Sequence, residues 1–213
     1  MKHLNKSIIL LFTTLFIAGC NNSVERTDRT VSLVQENVTS IVNELTEIQL
    51  AEGNIQAEFE NTIANASDDL SYFANNDSPI QQNIQRRQEH LTKLEEVRSE
   101  LDTLIEEFSN QVDKSPLPAD QVTNQITQLQ GLSQEITTYI TDYRDTIETE
   151  SIVYKSIANP ETDYTSFFAV FDSVSKLHTT NKINLERILG YFEPINAQLI
   201  NFKVYLANLQ ESN

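Results

Sequence analysis

The 213-residue sequence has a single cysteine, no tryptophan, one methionine, four glycines and five prolines. Each shortage excludes something. One Cys leaves no disulfide framework and no Cys-based structural zinc site. Four glycines fall far below the usual share of about 7%. Tight turns, phosphate-cradling loops and β-hairpins are therefore scarce, because each needs Gly for φ > 0 or for close backbone approach. Basic residues are also few: 15 Lys and Arg face 31 Asp and Glu, a net charge of −16. That balance argues against nucleic acid and anionic membrane surfaces as direct partners. Hydrophobic residues make up 39% of the chain, enough at this length for a substantial core.

The first twenty residues have their own character. Lys2 and Lys6 precede an apolar stretch from Ser7 to Gly19, and Cys20 follows. A basic start, a short apolar run and small residues before a cut site describe a secretory signal. The run is too short for a spanning helix, which needs about 20 residues. Ile17, Ala18, Gly19 and Cys20 match the bacterial lipobox position by position. The pattern implies cleavage before Cys20 and diacylglycerol on its thiol, and two acyl chains hold a protein where one binds only marginally. Losing residues 1–19 removes Lys2 and Lys6 and no acid, leaving 13 basic and 31 acidic residues, net −18. The expected organisation is a signal at 1–19, a lipidated Cys and polar tether at 20–30, and an extracytoplasmic domain at 31–213.

Beyond residue 30 the apolar residues recur in threes and fours, the mark of a helix and not of a strand. The first stripe runs Val31, Val34, Val38, Ile41, Leu45, Ile48, Ile55, Phe59, Ile63, Ala66, Leu70 and Phe73, with Glu52 in the one skipped position. Asn75 to Pro79 breaks it, with Ser78 placed as an N-cap and Pro79 at the first helical position. The second runs Ile80, Ile84, Arg87, Leu91, Leu94, Arg98, Leu101, Ile105, Phe108 and Val112. Its 4-3-4-3 spacing signals coiled-coil-like packing, in which Arg87 and Arg98 either pair with Glu, snorkel, or form a polar layer that sets register. The third runs from Val122 to Ile157, and the fourth from Tyr164 to Leu209, with Gly190 and Pro194 inside it.

Four long helices with short connections predict an all-α, elongated up-and-down four-helix bundle of antiparallel, coiled-coil-like helices. If Asn159-Pro160 only kinks a continuous helix, the alternative is a three-helix, spectrin-like rod.

Catalytic and metal signatures are absent. No His-Glu-x-x-His, Cys-x-x-Cys-His or Gly-x-Ser-x-Gly occurs. His90 and His178 lack the preceding Glu of a di-iron site, and no Asp-x-Asp-x-Asp-Gly calcium loop is present. The expectation is a non-enzymatic protein with no metal and no cofactor beyond the covalent diacylglycerol at Cys20. Two features suggest an interaction surface. From Thr30 to Gln85 there is no Lys, Arg or His among nine acids, including Glu44, Glu47 and Glu58. Late in the chain aromatics accumulate, among them Tyr164, Phe168, Tyr191 and Tyr205. Their spacing fits core packing, while the polar handle of Tyr also suits a groove for sugar rings or a partner helix.

The IAGC segment, the heptad stretch Gln88 to Phe108 and the aromatic block Asp163 to Leu177 resemble the YkyA-type cell-wall-binding lipoproteins of Gram-positive bacteria. The resemblance covers the whole chain. It implies a helical bundle outside the membrane, no enzymatic activity and association with the cell envelope; only Cys20 carries a role over. The expected place is the extracytoplasmic face of the cell membrane, lipid-anchored, with a cell-wall polymer or an envelope protein as partner and the oligomeric state open. The second functional reading is a scaffold or accessory subunit docking to a membrane protein complex through the acidic helical face.

Overall fold

The computed structural model describes residues 23–66, 69–159, 161 and 163–211. These form α1 (Ser23–Gly53), α2 (Ile55–Ala66), α3 (Pro79–Ser109), α4 (Ala119–Ser156) and α5 (Tyr164–Glu211), with 3-10 turns at Leu70–Ala74 and Val112–Lys114. Among the described residues there is no strand. The all-α expectation holds, but the described residues form five helices where four were expected.

The difference lies in the first stripe. Its helix starts at Ser23, so residues 23–30, expected as part of a tether, are the first turns of α1, with Val24, Thr27 and Thr30 buried. The helix then divides at Gly53-Asn54. Gly costs a helix about 1 kcal/mol relative to Ala, and a competing arrangement is available here. The Asn54 N–H turns back to the Ala51 carbonyl at 3.2 Å, and the Asn83 side chain of α3 donates to the same carbonyl at 2.7 Å. Past the break the helical phase resets. Phe59, Thr62 and Ala66 face the core, while Ile63 and Leu70, expected inside, are 40% and 37% exposed.

Hydrogen bonds between helices give their directions. Asn37 Nδ2 of α1 donates to the Val97 carbonyl of α3, and Thr62 Oγ1 of α2 accepts from the Ile80 N–H, so α1 and α2 together run antiparallel to α3. Ser133 Oγ donates to Asp102 and Ser151 Oγ to Gln81, making α4 antiparallel to α3. Asn184 donates to Asp142 and Gln198 to Gln121, so α5 runs back along α4. Asn159 thus lies in the connection between two packed helices, and the continuous helix of the spectrin-like alternative is not found. α5 passes Pro194 without ending.

The stripes pack into one core extending from Val24 to Leu206. Isolated helices are marginal in water, so this burial, about 1.5–3 kcal/mol per large apolar side chain, is what holds them. Leu189, expected in the fourth stripe, is instead 51% exposed, since Leu185 and Ile188 already fill that turn of the inner face.

Each stripe is interrupted by a polar residue, and the interruptions meet. Arg87 of α3 forks onto Glu150 of α4, its two terminal nitrogens donating at 2.8 and 2.7 Å, with both side chains fully buried. Arg87 Nε also donates to Asn83 Oδ1 at 2.8 Å. On α5, His178 pairs through Nδ1 with Glu52 of α1, and its Nε2 lies 3.6 Å from Glu150. Thr146 of α4 donates to Asn181 Oδ1 at 3.3 Å. Burial alone would push the Arg87 guanidinium down; the adjoining Glu150 carboxylate reverses this and the net shift is upward. Burial also raises the Tyr139 and Tyr143 hydroxyls well above the ordinary phenol range.

Removing one partner of this buried pair should be far worse than replacing both. Arg87→Ala or Glu150→Ala is expected to cost about 3–5 kcal/mol in urea denaturation, and the double variant Arg87→Met/Glu150→Leu to recover most of it.

Candidate functional site

The chain reverses direction between α2 and α3, at the end of the helices opposite Ser23. Thr27 near the start of α1 lies beside Ser115 in the α3–α4 connection. At the other end, Phe59 of α2 and Tyr154 of α4 pack with ring centroids 5.8 Å apart, and Phe73 completes the cluster at 5.2 Å from Phe59. The end holding α2, the Leu70–Ala74 turn and the close of α4 is the tip of the molecule.

An open depression of about 500 Å³ lies there, lined by Asn65, Ala66, Asp69, Ser71, Tyr72, Ala74 and Asn75. Its shape follows from one residue pointing inward. Phe73 is completely buried while Ser71 and Ala74 stay exposed and Tyr72 is half-buried. The turn is held by hydrogen bonds on every side. Asp69 Oδ1 accepts from the Ser71 N–H at 2.9 Å, and Gln81 of α3 donates to the Phe73 carbonyl at 3.0 Å. Asn75 Oδ1 accepts from the Asp77 N–H, and the Tyr72 hydroxyl reaches the Asp77 carbonyl at 3.4 Å.

Ser78 occupies the N-cap position of α3 with Pro79 following, as expected, but its hydroxyl makes no capping bond. Thr62 of α2 takes over, its Oγ1 accepting from Ile80 N–H at 3.1 Å and donating to the Glu58 carbonyl at 2.7 Å. The cap of α3 is therefore supplied by α2, which locks the two helices bordering the tip.

The residues expected to form an interaction surface are scattered. Glu44 pairs with His90 Nδ1 at 2.7 Å and Glu58 with Arg86 at 2.8 Å, both across to α3. The stretch without basic residues is thus partly neutralised by a neighbouring helix. Glu47 remains exposed. Tyr191 lies over Gly131 of α4, its ring within 2.7–2.9 Å of where a Cβ would stand; Tyr205 is 41% exposed near the other end. The side chains of Tyr164 and Phe168 lie outside the described residues, as do Ile17, Ala18, Gly19 and Cys20. Among the described residues no helix is long and apolar enough to cross a membrane, and no group of three or more His, Cys, Asp or Glu side chains is placed to hold a metal ion.

The family model described as "Putative cell-wall binding lipoprotein", YkyA, matches residues 22–202. The chain belongs to the YkyA family. No curated protein and no solved structure gives a significant match. The YkyA match spans all five helices up to the last turns of α5, so both the buried polar layer and the tip fall inside it. Sequence reasoning missed the tip groove, because its residues are ordinary turn formers.

Ser71 holds the Asp69 carboxylate through its side chain and its N–H, and keeps it below the ordinary carboxylate range. A lowered pKa means that this local bonding is present at neutral pH and is lost as pH falls through the Asp69 titration. In a carboxyl-carbon NMR titration Asp69 should therefore protonate at lower pH than a free Asp, and Ser71→Ala should move it back upward.

Proposed function

We propose that this YkyA protein is a non-enzymatic lipoprotein, anchored through Cys20 to the extracytoplasmic face of the cell membrane and binding the cell wall at its tip. In this reading α1 and α2 form one arm of an up-and-down four-helix bundle, broken at Gly53-Asn54 but continuous in direction. The observation that carries it is the polarity of the molecule. In sequence Ser23 of α1 is three residues after Cys20, and the tip lies at the far end of the helices. The 38 residues of α4 alone span about 57 Å at ~1.5 Å per residue. An anchor at one end would hold the tip that far from the membrane surface, toward the wall.

The same geometry supports a binding role over an enzymatic one. Among the described residues, the inner faces of the helices are filled by apolar side chains and the polar layer around Arg87 and Glu150, and no nucleophile, base and oxyanion donor converge. The acidic-face alternative has less support, because Glu44, Glu52 and Glu58 are already engaged with His90, His178 and Arg86.

Two measurements test this. Cys20→Ser should shift the protein from the membrane fraction to the medium; retention in the membrane would remove the anchor. The soluble Cys20→Ser chain should co-sediment with purified wall, with or without Mg²⁺, and a failure to sediment in either condition would remove wall binding.

A further inference from the structure

We infer that the tip groove is a glycan site, which takes the uncharged amino-sugar backbone of the wall and rejects its phosphate-bearing polymers. This rests on the wall-binding reading above and adds a ligand class and residues to it. The lining offers what a sugar ring presents. Asn65 and Asn75 carry amides with both donors and acceptors, Ser71 a hydroxyl, and Asp69 an acceptor pair, matching the mixed donor and acceptor character of sugar hydroxyls and N-acetyl groups. Tyr72 supplies the one aromatic ring of the lining, suited to the apolar C–H face of a pyranose.

Charge decides between the two wall polymers. No Lys, Arg or His lines the groove. Asp69 sits in it, held ionised by Ser71, and Asp77 is exposed at its edge. A phosphate polymer would bring like charge to these carboxylates on a protein of net charge −16, with nothing in the lining to neutralise it. A glycan has no such cost. The groove is also organised in advance. Phe73 is buried beneath it, Gln81 holds the Phe73 carbonyl, and the Tyr72 hydroxyl and Asn75 amide are both tied to Asp77. Because the groove is open, each contact is weak, and a repeating polymer would supply strength through many tethered copies.

The test uses the chain from residue 20 with Cys20→Ser, titrated by amide NMR with soluble oligomers of N-acetylated amino sugars that carry neither peptide nor phosphate. A glycerol-phosphate polymer serves as the second probe. The sugar oligomers should shift the amides of Asn65, Ser71, Tyr72 and Asn75. Tyr72→Ala and Asn65→Ala should each weaken binding about tenfold or more, with helix content unchanged, while Tyr72→Phe, which keeps the ring, should bind nearly as well as the parent. Shifts elsewhere, or affinity indifferent to Tyr72→Ala, overturn the inference. So does a phosphate polymer that shifts the groove amides in place of the sugar. If Tyr72→Ala still sediments with whole wall as the parent does, only this inference falls. If the parent itself does not sediment, wall binding falls with it.

Discussion

The guanidinium of Arg87 and the carboxylate of Glu150 meet through two parallel hydrogen bonds where neither side chain reaches water. Taking two charges out of water is costly, and their attraction offsets this only when the fork geometry is kept and the remaining donors are satisfied. Here the fork is kept, and Asn83 takes a third of the five guanidinium N–H groups. The arrangement is stable in one alignment of α3 against α4. A slip by a single turn, about 5.4 Å, would strand a buried ion without a partner, whereas the apolar stripes on either side would tolerate the same slip with little loss. The pair thus fixes the register that the stripes leave loosely specified.

That register propagates to the tip through neighbours of the pair. Asn83, which supports Arg87, also donates to the Ala51 carbonyl at the point where α1 gives way to α2. Glu52, one residue on, is held by His178 of α5, which in turn approaches Glu150. The break between α1 and α2 is therefore held by α3 through Asn83 and by α5 through His178. Beyond it, α2 carries Phe59 into the aromatic cluster with Phe73 and Tyr154 and caps α3 through Thr62. The groove is the outer surface of that cluster. Its position depends on a salt bridge well inside the helices.

The periodicity of the chain made most of this fold legible. Apolar steps of three and four and Pro79 at a helix start read directly as long helices and turns, while Asn159-Pro160 left a turn and a kinked continuous helix both open. The break at Gly53-Asn54 did not, since Gly and Asn are tolerated in helices and the capping amide arrives from Asn83 in a distant segment. Ser78 had the composition of an N-cap, yet the bond came from Thr62. The polar layer was half visible. Glu52 and Arg87 stand out as irregular members of their stripes, while Glu150 of α4 and Asn181 of α5 do not. Four interruptions in four stripes are a signal of one shared layer, but only if they are aligned in space. The acidic stretch was misleading for the same reason: its partners, Arg86, His90 and His178, lie outside the window in sequence and beside it in the fold.

The central claim, that the buried pair sets helix register and so the tip, is tested most directly by a distance between spin labels at exposed positions 103 of α3 and 127 of α4, introduced in the Cys20→Ser background. With Arg87 and Glu150 present, pulsed electron resonance should give one narrow distance. In the Arg87→Met/Glu150→Leu protein, which keeps its helices, the distribution should broaden or split as the two helices sample neighbouring registers. A single, unchanged distance in that protein would contradict the account and leave register to the apolar stripes alone.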